Sequence, residues 1–466
     1  MSDSPVVDPS SLERMVQYAF CNGIAYGSPH TPETKLHPER NSAVHAPFTV
    51  DPYPIDADAF KLAMSLASSF NHLVDVIAQD SEWLLSTLKS TAVHDEFTGK
   101  LMDIYRGVLA EGVRQKATLG IIRSDYMFHN AISGDTSRGI LQVELNTIAS
   151  SFGCLSNKIS DMHRLFDAAS GEALPPNDSI RDIARGMVAA NGEYRRQTNA
   201  TETVVLFIVQ HGERNFSDQR LLEYEILRQG GVSVLRASLA DVAARATVGQ
   251  DGALSYDAVE VAVVYFRAGY TPDDYPGVAE WEARRTIEHS KAIKCPDIAT
   301  HLVGTKKVQQ VLAVPGQLER FMPAAECARL RTVFAGLYSL DSSDYSTEIV
   351  AEAIQRALND PNGYVLKPQR EGGGNNFYKD EMKHKLQTLS AEALSAYILM
   401  ERIVPRPQDA TMVRFGCPLR CRTICELGVF GLLLRGENNE RIVNECGGYL
   451  LRVKPVDADE GGVAAG

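Results

Sequence analysis

The sequence of 466 residues lacks a segment able to cross a membrane, because no stretch approaches about 18 consecutive apolar residues. Its first residues, MSDSPVVDPSSLERM, have neither the basic and apolar parts of a secretory signal nor the arginine-rich composition of a transit peptide. The eight cysteines are spread over the chain rather than concentrated in a short secreted domain. We therefore expect a cytoplasmic protein that has no membrane partner.

An excess of positive charge is also missing. Lysine and arginine number 47 against 59 aspartate and glutamate residues, which gives a net charge of −12. Nucleic-acid binders gain affinity by neutralising phosphates, so this balance argues against a nucleic-acid partner. It still allows an anionic small substrate, because such a site needs only a local cluster of Arg and Lys.

The signature motifs of several large enzyme classes do not occur. The chain has no GxxxxGK[ST] loop, no HExxH helix and no GxSxG turn. Cys417, Cys421 and Cys425 are each four residues apart, but they lie in a segment that is typical of a strand and no second pair accompanies them. P-loop nucleotide hydrolysis, zinc proteolysis and serine hydrolysis are therefore disfavoured.

The patterns that are present indicate an α/β (α+β) protein. Residues 56–111 carry apolar side chains at helical spacing, including Leu66, Phe70 and Leu73. Strand patterns at 203–210, 232–236 and 259–267 alternate with helical ones, which predicts a small open parallel sheet. The C-terminal third has long strand patterns at 364–369, 396–403, 422–435 and 441–454. A turn at 436–440 joins the last two, and we expect antiparallel pairing there.

The run KPQREGGGNN is the first candidate site. It spans residues 367–376 and places three glycines, Gly372 to Gly374, directly after a strand. Glycine backbone N–H groups can converge on an anion, and Glu371 could hold a Mg²⁺ ion that bridges phosphates. A flexible hairpin tip is the competing interpretation.

The run VELNTIASSFG, residues 143–153, is the second candidate. Glu144 and Asn146 are two residues apart, so on a strand both point to one face and offer oxygen ligands to a hard cation. The following Thr, Ala and Ser residues could bind a substrate carboxylate. An ordinary strand end followed by a turn is the alternative.

Two further groups of basic residues would form a binding site only if their side chains meet in space. Arg123, Arg214, Arg267, Lys306 and Lys307 follow strands or begin helices, although each alone could be a surface charge. Near the end of the sequence, Arg452 and Lys454 alternate on a strand before the glycine-rich DEGGVAAG, which could close over a ligand.

Together these strings resemble the eukaryotic-type glutathione synthetase family over nearly the whole chain, from about Ala46 to Gly466. The resemblance rests on RSDYMF, ELNTIASSFG, ERN followed by DQR, AVVYFR with GY, KCPDIAT, GTKKVQQ, FAGLYSLD, KPQREGGGNN, YILMERI, CELGVFG and DEGGVAAG, all in the expected order. KCPDIAT, GTKKVQQ and KPQREGGGNN are long and uncommon, which makes the resemblance specific.

The resemblance implies a circularly permuted ATP-grasp fold with antiparallel sheets, a helical N-terminal region and an inserted small parallel α/β substrate-binding domain. The implied units are residues 1–202, 203–306 and 307–466. The implied reaction joins γ-glutamylcysteine to glycine through an acyl phosphate and converts ATP to ADP and phosphate. Two Mg²⁺ ions per site and a homodimer are also implied.

Site residues follow by matching motifs. The implied Mg²⁺ ligands are Glu144, Asn146 and Glu371, and the implied catalytic residues are Arg452, Lys306 and Lys367. The implied ATP contacts are Glu144, Lys306, Lys367, Pro368, Gln369, Arg370, Glu371, Gly372, Gly373, Gly374, Asn375, Asn376, Tyr378, Met400, Glu401, Arg402, Ile403, Glu426, Lys454 and Glu460. The implied substrate contacts are Arg123, Ile148, Ala149, Ser150, Ser151, Glu213, Arg214, Asn215, Gln219, Arg267, Ala268, Gly269, Tyr270, Arg452, Val463 and Ala464.

The sequence departs from the family pattern at two of these positions. We expect aspartate after Arg267, and the chain has Ala268; we also expect aspartate where Glu460 stands. Two alternatives stay open. One is a homoglutathione-type ligase that uses β-alanine, although the small pair Ala464 and Ala465 favours glycine. The other is a non-catalytic ATP-binding paralogue.

Overall fold

The computed structural model describes residues 8–28, 42–129, 139–166, 174–342, 345–369, 375–458 and 464–466. The helices span Pro9–Cys21, Ala57–Gln79, Ser81–Thr87, Lys89–His94, Glu96–Glu111, Gly153–Phe166, Ser179–Thr198, Phe216–Gly230, Leu239–Arg245, Val278–Glu288, Ile298–Val303, Lys306–Ala313, Ala324–Arg331, Thr347–Asn359, Lys379–Thr388 and Ala391–Leu394. In these parts of the chain, none of the helices is both long enough and apolar enough to span a membrane.

The strands are numbered in chain order. They are β1 (Ala25–Gly27), β2 (Ala43–His45), β3 (Phe48–Thr49), β4 (Thr118–Met127), β5 (Leu141–Asn146), β6 (Val204–Ile208), β7 (Val234–Ala237), β8 (Ala246–Val248), β9 (Leu254–Tyr256), β10 (Val259–Phe266), β11 (Ile293–Cys295), β12 (Leu337–Ser339), β13 (Tyr364–Pro368), β14 (Phe377–Tyr378), β15 (Tyr397–Glu401), β16 (Gln408–Arg414), β17 (Cys417–Arg435), β18 (Arg441–Pro455) and β19 (Ala464–Ala465).

Most strands belong to one sheet of 13 strands, whose main path runs β16-β3-β19-β18-β17-β4-β11-β10-β6-β7. Strand β5 pairs with β4 at the side, and β9 and β8 extend from β10. The long hairpin β17–β18 is antiparallel and closes through Gly436 N–H, which donates to Glu440 O at 2.8 Å. A separate antiparallel sheet has the order β12-β15-β13-β14.

The predicted parallel pairing of β6, β7 and β10 is confirmed. These strands do not form a sheet of their own, because β10 also pairs with β11 and β11 bridges to β4. The parallel and antiparallel parts are thus joined edge to edge. Sequence periodicity cannot reveal this joint, since it depends on a single bridge between Lys294 and Thr118.

Helices cover both faces of the large sheet. Along β6, Val205 and Phe207 belong to one buried cluster while Leu206 and Ile208 belong to another, which explains the continuous apolar run. The helix Ala57–Gln79 packs on β17 and β18 and begins at Asp56, whose carboxylate accepts from Ala59 N–H at 2.8 Å. Its predicted apolar face is confirmed, because Leu66, Phe70 and Leu73 are all buried.

Candidate active site

Strand β5 places two of the predicted metal ligands side by side. Glu144 and Asn146 are two positions apart on β5, so their side chains point to the same face. The Asn146 Nδ2 group donates to Asp125 Oδ2 at 3.0 Å and to Arg123 O at 3.3 Å. Because the amide nitrogen is engaged in this way, the amide oxygen is the atom able to bind a cation. One carboxylate and one amide oxygen are a donor set that suits Mg²⁺.

Two buried lysines converge on this strand from different elements. Lys306, the first residue of the helix Lys306–Ala313, places its Nζ 3.2 Å from Glu144 Oε2. Lys367, on β13 of the small sheet, donates from Nζ to the carbonyl oxygen of Val143 at 2.9 Å. Strand β5 of the large sheet therefore faces the small sheet at Val143 and Glu144, where two lysines from different elements meet.

These cations determine the charge state of Glu144, whose side chain is 25% exposed. Burial alone would raise the pKa of the Glu144 carboxyl, but Lys306, Lys367 and Arg452 hold that pKa well below its ordinary range. Glu144 is therefore ionised at neutral pH and available to a metal ion. Among the described residues, no group of three or more His, Cys, Asp or Glu side chains is placed to hold a metal, so Glu144 and Asn146 form a donor set of only one carboxylate and one amide.

Asp125 is a site residue that sequence reasoning missed. It is fully buried on β4, and its carboxylate binds Arg123 at both oxygens, with Nε to Oδ1 at 2.7 Å and Nη2 to Oδ2 at 2.9 Å. The same Oδ2 accepts from Asn146 and, at 2.9 Å, from Arg452 Nη2. Its sequence signal was the spacing in RSDY, where Arg123 and Asp125 share one face of a strand.

Arg452 completes this network from β18. Besides Asp125 it contacts Glu426, which lies opposite it on β17. Burial raises the pKa of Glu426, the carboxylates of Asp125 and Glu144 raise it further, and Arg452 opposes the rise. Burial alone would lower the pKa of Arg452, but Glu426 and Asp125 raise it, so the guanidinium remains charged.

A second group of predicted residues surrounds the turn after β5. Arg267, at the end of β10, donates from Nη1 to Ser150 O at 3.3 Å, and Arg123 Nη1 donates to Ser151 O at 3.2 Å. Ala149 takes a left-handed φ of 53° in this turn. Asp218, which the sequence analysis did not select, anchors the next residues by accepting N–H groups from Phe152, Cys154 and Leu155 at 3.0, 2.9 and 3.2 Å.

Three buried polar atoms in this group have no hydrogen-bond partner within the described part of the chain: Ser150 Oγ, Asn215 Oδ1 and Arg267 Nε. Burying such atoms without partners is costly, so a polar ligand would satisfy them. Gln219 lies beside them and donates to Glu213 Oε2 at 3.3 Å. Arg214 points differently, since its Nε donates to Gly27 O at 3.0 Å.

Two cavities adjoin these residues. One of about 400 Å³ is lined by Glu213, Arg214 and Asn215 together with Tyr26 and Arg414. A smaller one of about 130 Å³ is lined mostly by apolar side chains, together with Arg452, Ser156 and Ala465. Ala465 lies opposite Arg452 because β19 pairs with β18, with Ala464 opposite Val453.

The implied ATP contacts at 400–403 and Tyr378 lie where the sheets meet. Met400 and Ile403 are buried in one apolar cluster with Val365 and Leu141, and Tyr378 packs against it. The N–H groups of Glu401 and Arg402 donate to Gly336 O at 2.8 Å and Gly363 O at 2.7 Å. These two N–H groups are therefore already engaged within the protein.

The remaining predicted residues fall into three sets. Pro368 and Gln369 end the β13 segment, Asn375 and Asn376 precede β14, and Lys454 lies two positions beyond Arg452 on β18. Ile148, Ala268, Gly269 and Tyr270 lie in the turns that follow β5 and β10. Outside the described residues are Arg370, Glu371, Gly372, Gly373, Gly374, Glu460 and Val463.

Comparison with known proteins gives one consistent family. Residues 9–466 match the family described as eukaryotic glutathione synthase, ATP binding domain. The chain is 42% identical to glutathione synthetase from Rattus norvegicus over 469 residues, which cover 98% of this chain and 96% of that protein. It is 40% identical to glutathione synthetase from Dictyostelium discoideum over 468 residues, or 97% and 96% of the two chains.

A plant relative and a solved structure extend the comparison. The chloroplastic glutathione synthetase from Solanum lycopersicum is 39% identical over 485 residues, covering 100% of this chain and 85% of that protein. The apo structure of a glutathione synthetase-like effector from Globodera pallida has a TM-score of 0.78 at 20% identity, covers 100% of this chain and 97% of that chain, and supports the fold alone. The resemblance seen in the sequence is thereby confirmed, and the chain belongs to the eukaryotic glutathione synthetase family of ATP-dependent ligases.

Proposed function

We propose that this chain joins γ-glutamylcysteine to glycine with ATP, and that the residues around β5 carry out the phosphoryl transfer. The observation that carries the proposal is the convergence of Lys306 and Lys367 on Glu144. Cations beside an ionised carboxylate, between two sheets, suit a triphosphate whose charge must be neutralised as its γ-phosphoryl group moves.

Two oxygen donors on β5 suit the metal that such a reaction needs. We propose that Glu144 and Asn146 bind Mg²⁺, with Glu371 as a third ligand and two ions in each site. Held by these residues, Mg²⁺ would supply positive charge that offsets the negative charge of the ATP phosphates. Lys306 and Lys367 contribute the same neutralisation from the protein side.

We assign γ-glutamylcysteine to the turn after β5. The unsatisfied Ser150 Oγ, Asn215 Oδ1 and Arg267 Nε would bind its polar γ-glutamyl end. Arg123 connects this turn to Asn146, because it binds Ser151 O and also Asp125, whose carboxylate accepts from Asn146. The cysteinyl carboxylate would then face the γ-phosphate, with the remaining contacts as the family resemblance assigns them.

The reaction then proceeds in two steps. A carboxylate oxygen of the cysteinyl residue attacks the γ-phosphorus, and the bond to the β-phosphate oxygen breaks to release ADP. The deprotonated amine of glycine attacks the acyl phosphate carbonyl, the carbon–oxygen bond breaks, and inorganic phosphate leaves. Arg452 stabilises the negative charge on the carbonyl oxygen. We assign glycine to the cavity beside Arg452 and Ala465 because of its small volume and its one guanidinium group.

Purified protein should form the tripeptide from γ-glutamylcysteine, glycine and Mg-ATP, with one ADP and one phosphate released per product by mass spectrometry and a coupled assay. Parallel reactions with β-alanine test the homoglutathione alternative. ATP binding without any tripeptide would support the non-catalytic alternative. A homodimer and a cytoplasmic location are further proposals, which light scattering and imaging of the tagged full chain would test.

A further inference from the structure

The segment after β10 is held by one carboxylate. The N–H groups of Gly269, Tyr270 and Thr271 all donate to Oδ2 of Asp274, at 2.8, 3.1 and 3.2 Å. The other oxygen, Oδ1, accepts from Gln210 Nε2 at 2.8 Å. Asp274 therefore ties three successive peptide groups to the residues that follow β6.

Gly269 is tethered on its other side as well. The Tyr275 hydroxyl donates to Gly269 O at 3.1 Å, and the Tyr275 ring stacks on Trp281 with centroids 3.9 Å apart. Gly269 has a φ of +92°, and a Cβ atom built there would lie 2.9 Å from the Tyr275 hydroxyl. The close approach of these groups requires glycine at this position.

The tethered segment begins at a residue of the proposed substrate site. Arg267 is held through its own N–H, which donates to Ile208 O at 2.8 Å, and its guanidinium reaches Ser150 O. Residues 267–271 contain no acid, and Ala268 stands where the family resemblance led us to expect aspartate. The carboxylate that organises this segment comes from Asp274 instead.

We propose that Asp274 is a positioning residue for γ-glutamylcysteine, which fixes the backbone of residues 269–271 so that Arg267 and Tyr270 meet the substrate in one arrangement. This inference rests on the proposed function of the site. Charge-assisted hydrogen bonds from one carboxylate to three N–H groups are strong, and losing them frees the segment to adopt other conformations. The cost should appear in substrate binding rather than in the chemical step.

The test compares Asp274→Asn with Asp273→Asn, because Asp273 is adjacent, exposed and equally acidic. In Asp274→Asn the KM for γ-glutamylcysteine should rise about tenfold, while kcat, the KM for ATP and the melting temperature stay close to wild type. Asp274→Glu should recover part of the loss, and Asp273→Asn should match wild type.

The Tyr275→Phe variant tests the same tether from the other side. It should raise the same KM, and its effect should be less than additive with Asp274→Asn, because both act on Gly269. An unchanged KM in Asp274→Asn, or a joint change of all kinetic constants and the melting temperature, overturns the positioning role. Wild-type protein that forms no tripeptide overturns the proposed function, and with it this inference.

Discussion

Arg452 Nη2 lies 2.9 Å from Asp125 Oδ2, although the two residues are 327 positions apart in the sequence. The contact exists because β17 pairs with β4 on one side and with β18 on the other. Asp125 thereby connects Arg123, Asn146 and Arg452, three residues with different proposed partners. Asp125 thus holds in place the residues that we propose to bind Mg²⁺, γ-glutamylcysteine and glycine.

Replacing Asp125 with asparagine should therefore disturb all three ends together. The variant keeps the size of the side chain but removes the charge that pairs with two arginines. We expect kcat/KM for tripeptide formation to fall about 100-fold, since small displacements of several positioned groups combine. Steady-state kinetics with each substrate varied in turn would detect this. Asp103→Asn, at an exposed helix position, is the control, and equal activity in the two variants would contradict the supporting role.

Glu144→Gln should change stability in a pH-dependent way, apart from any loss of activity. The folded-state pKa of Glu144 is depressed relative to an unfolded value of about 4.3, so its ionised form stabilises the folded protein above that pH. The melting temperature of wild type should exceed that of Glu144→Gln at pH 7, and the gap should shrink as pH falls below about 4. Differential scanning fluorimetry across this range measures it.

The control for this experiment is Glu82→Gln, at an exposed position on the helix Ser81–Thr87. The melting temperature of Glu82→Gln should match that of wild type both at pH 7 and below about pH 4. A wild-type advantage over Glu144→Gln that stays constant, or grows as pH falls, would be inconsistent with the proposed ion pairs.

Gly428→Ala should reduce activity because Gly428 lies opposite Asp125 on β17. A Cβ atom there would lie 2.8 Å from Asp125 Oδ1 and 3.0 Å from Arg123 Cδ, both held by their mutual ion pair. We expect at least a tenfold loss of kcat/KM. Gly192→Ala is the matched control, since its Cβ meets nothing within 4 Å and should stabilise its helix by about 1 kcal/mol. Full activity in Gly428→Ala would show that the pair tolerates displacement.

Arg452→Ala should remove stabilisation of charge during acyl transfer. We expect kcat to fall about 100-fold or more, with a smaller change in the KM for ATP, because the Arg452 guanidinium lies beside the proposed acceptor cavity. Arg452→Lys should recover little, since one ammonium group cannot reach both Asp125 and Glu426 as the guanidinium does. Normal turnover in Arg452→Ala would mean that the arginine serves the fold alone.

Local patterns were sufficient to predict much of the molecule. The two-residue spacing of Glu144 and Asn146 predicted their shared face, and the pattern at 203–210 predicted a strand, which the structure buries on both sides. The long C-terminal strands were also recognised, although β17 begins at Cys417 rather than at 422. Its first residues pair with β16 across the turn at Phe415 and Gly416, and a pairing of that kind is invisible to single-strand patterns.

The residues that sequence reasoning missed depend on pairing between distant strands and turns. Asp125 was passed over in RSDY because nothing local shows that Arg452 and Asn146 reach the same carboxylate. Asp218 and Asp274 look like ordinary acids near helix starts, yet their oxygens hold the two turns that carry Ser150 and Arg267. Such roles follow from the register and curvature of the large sheet, which no local segment encodes.

The most direct test of the acyl phosphate mechanism follows a cysteinyl carboxylate oxygen into the released phosphate. γ-Glutamylcysteine with ¹⁸O at both oxygens of its cysteinyl carboxylate is turned over with glycine and Mg-ATP. The released phosphate and the tripeptide are then analysed by mass spectrometry. Phosphorylation of that carboxylate predicts one ¹⁸O atom in each phosphate and one retained in the tripeptide. Unlabelled phosphate formed together with tripeptide would contradict the acyl phosphate and the site described around Glu144.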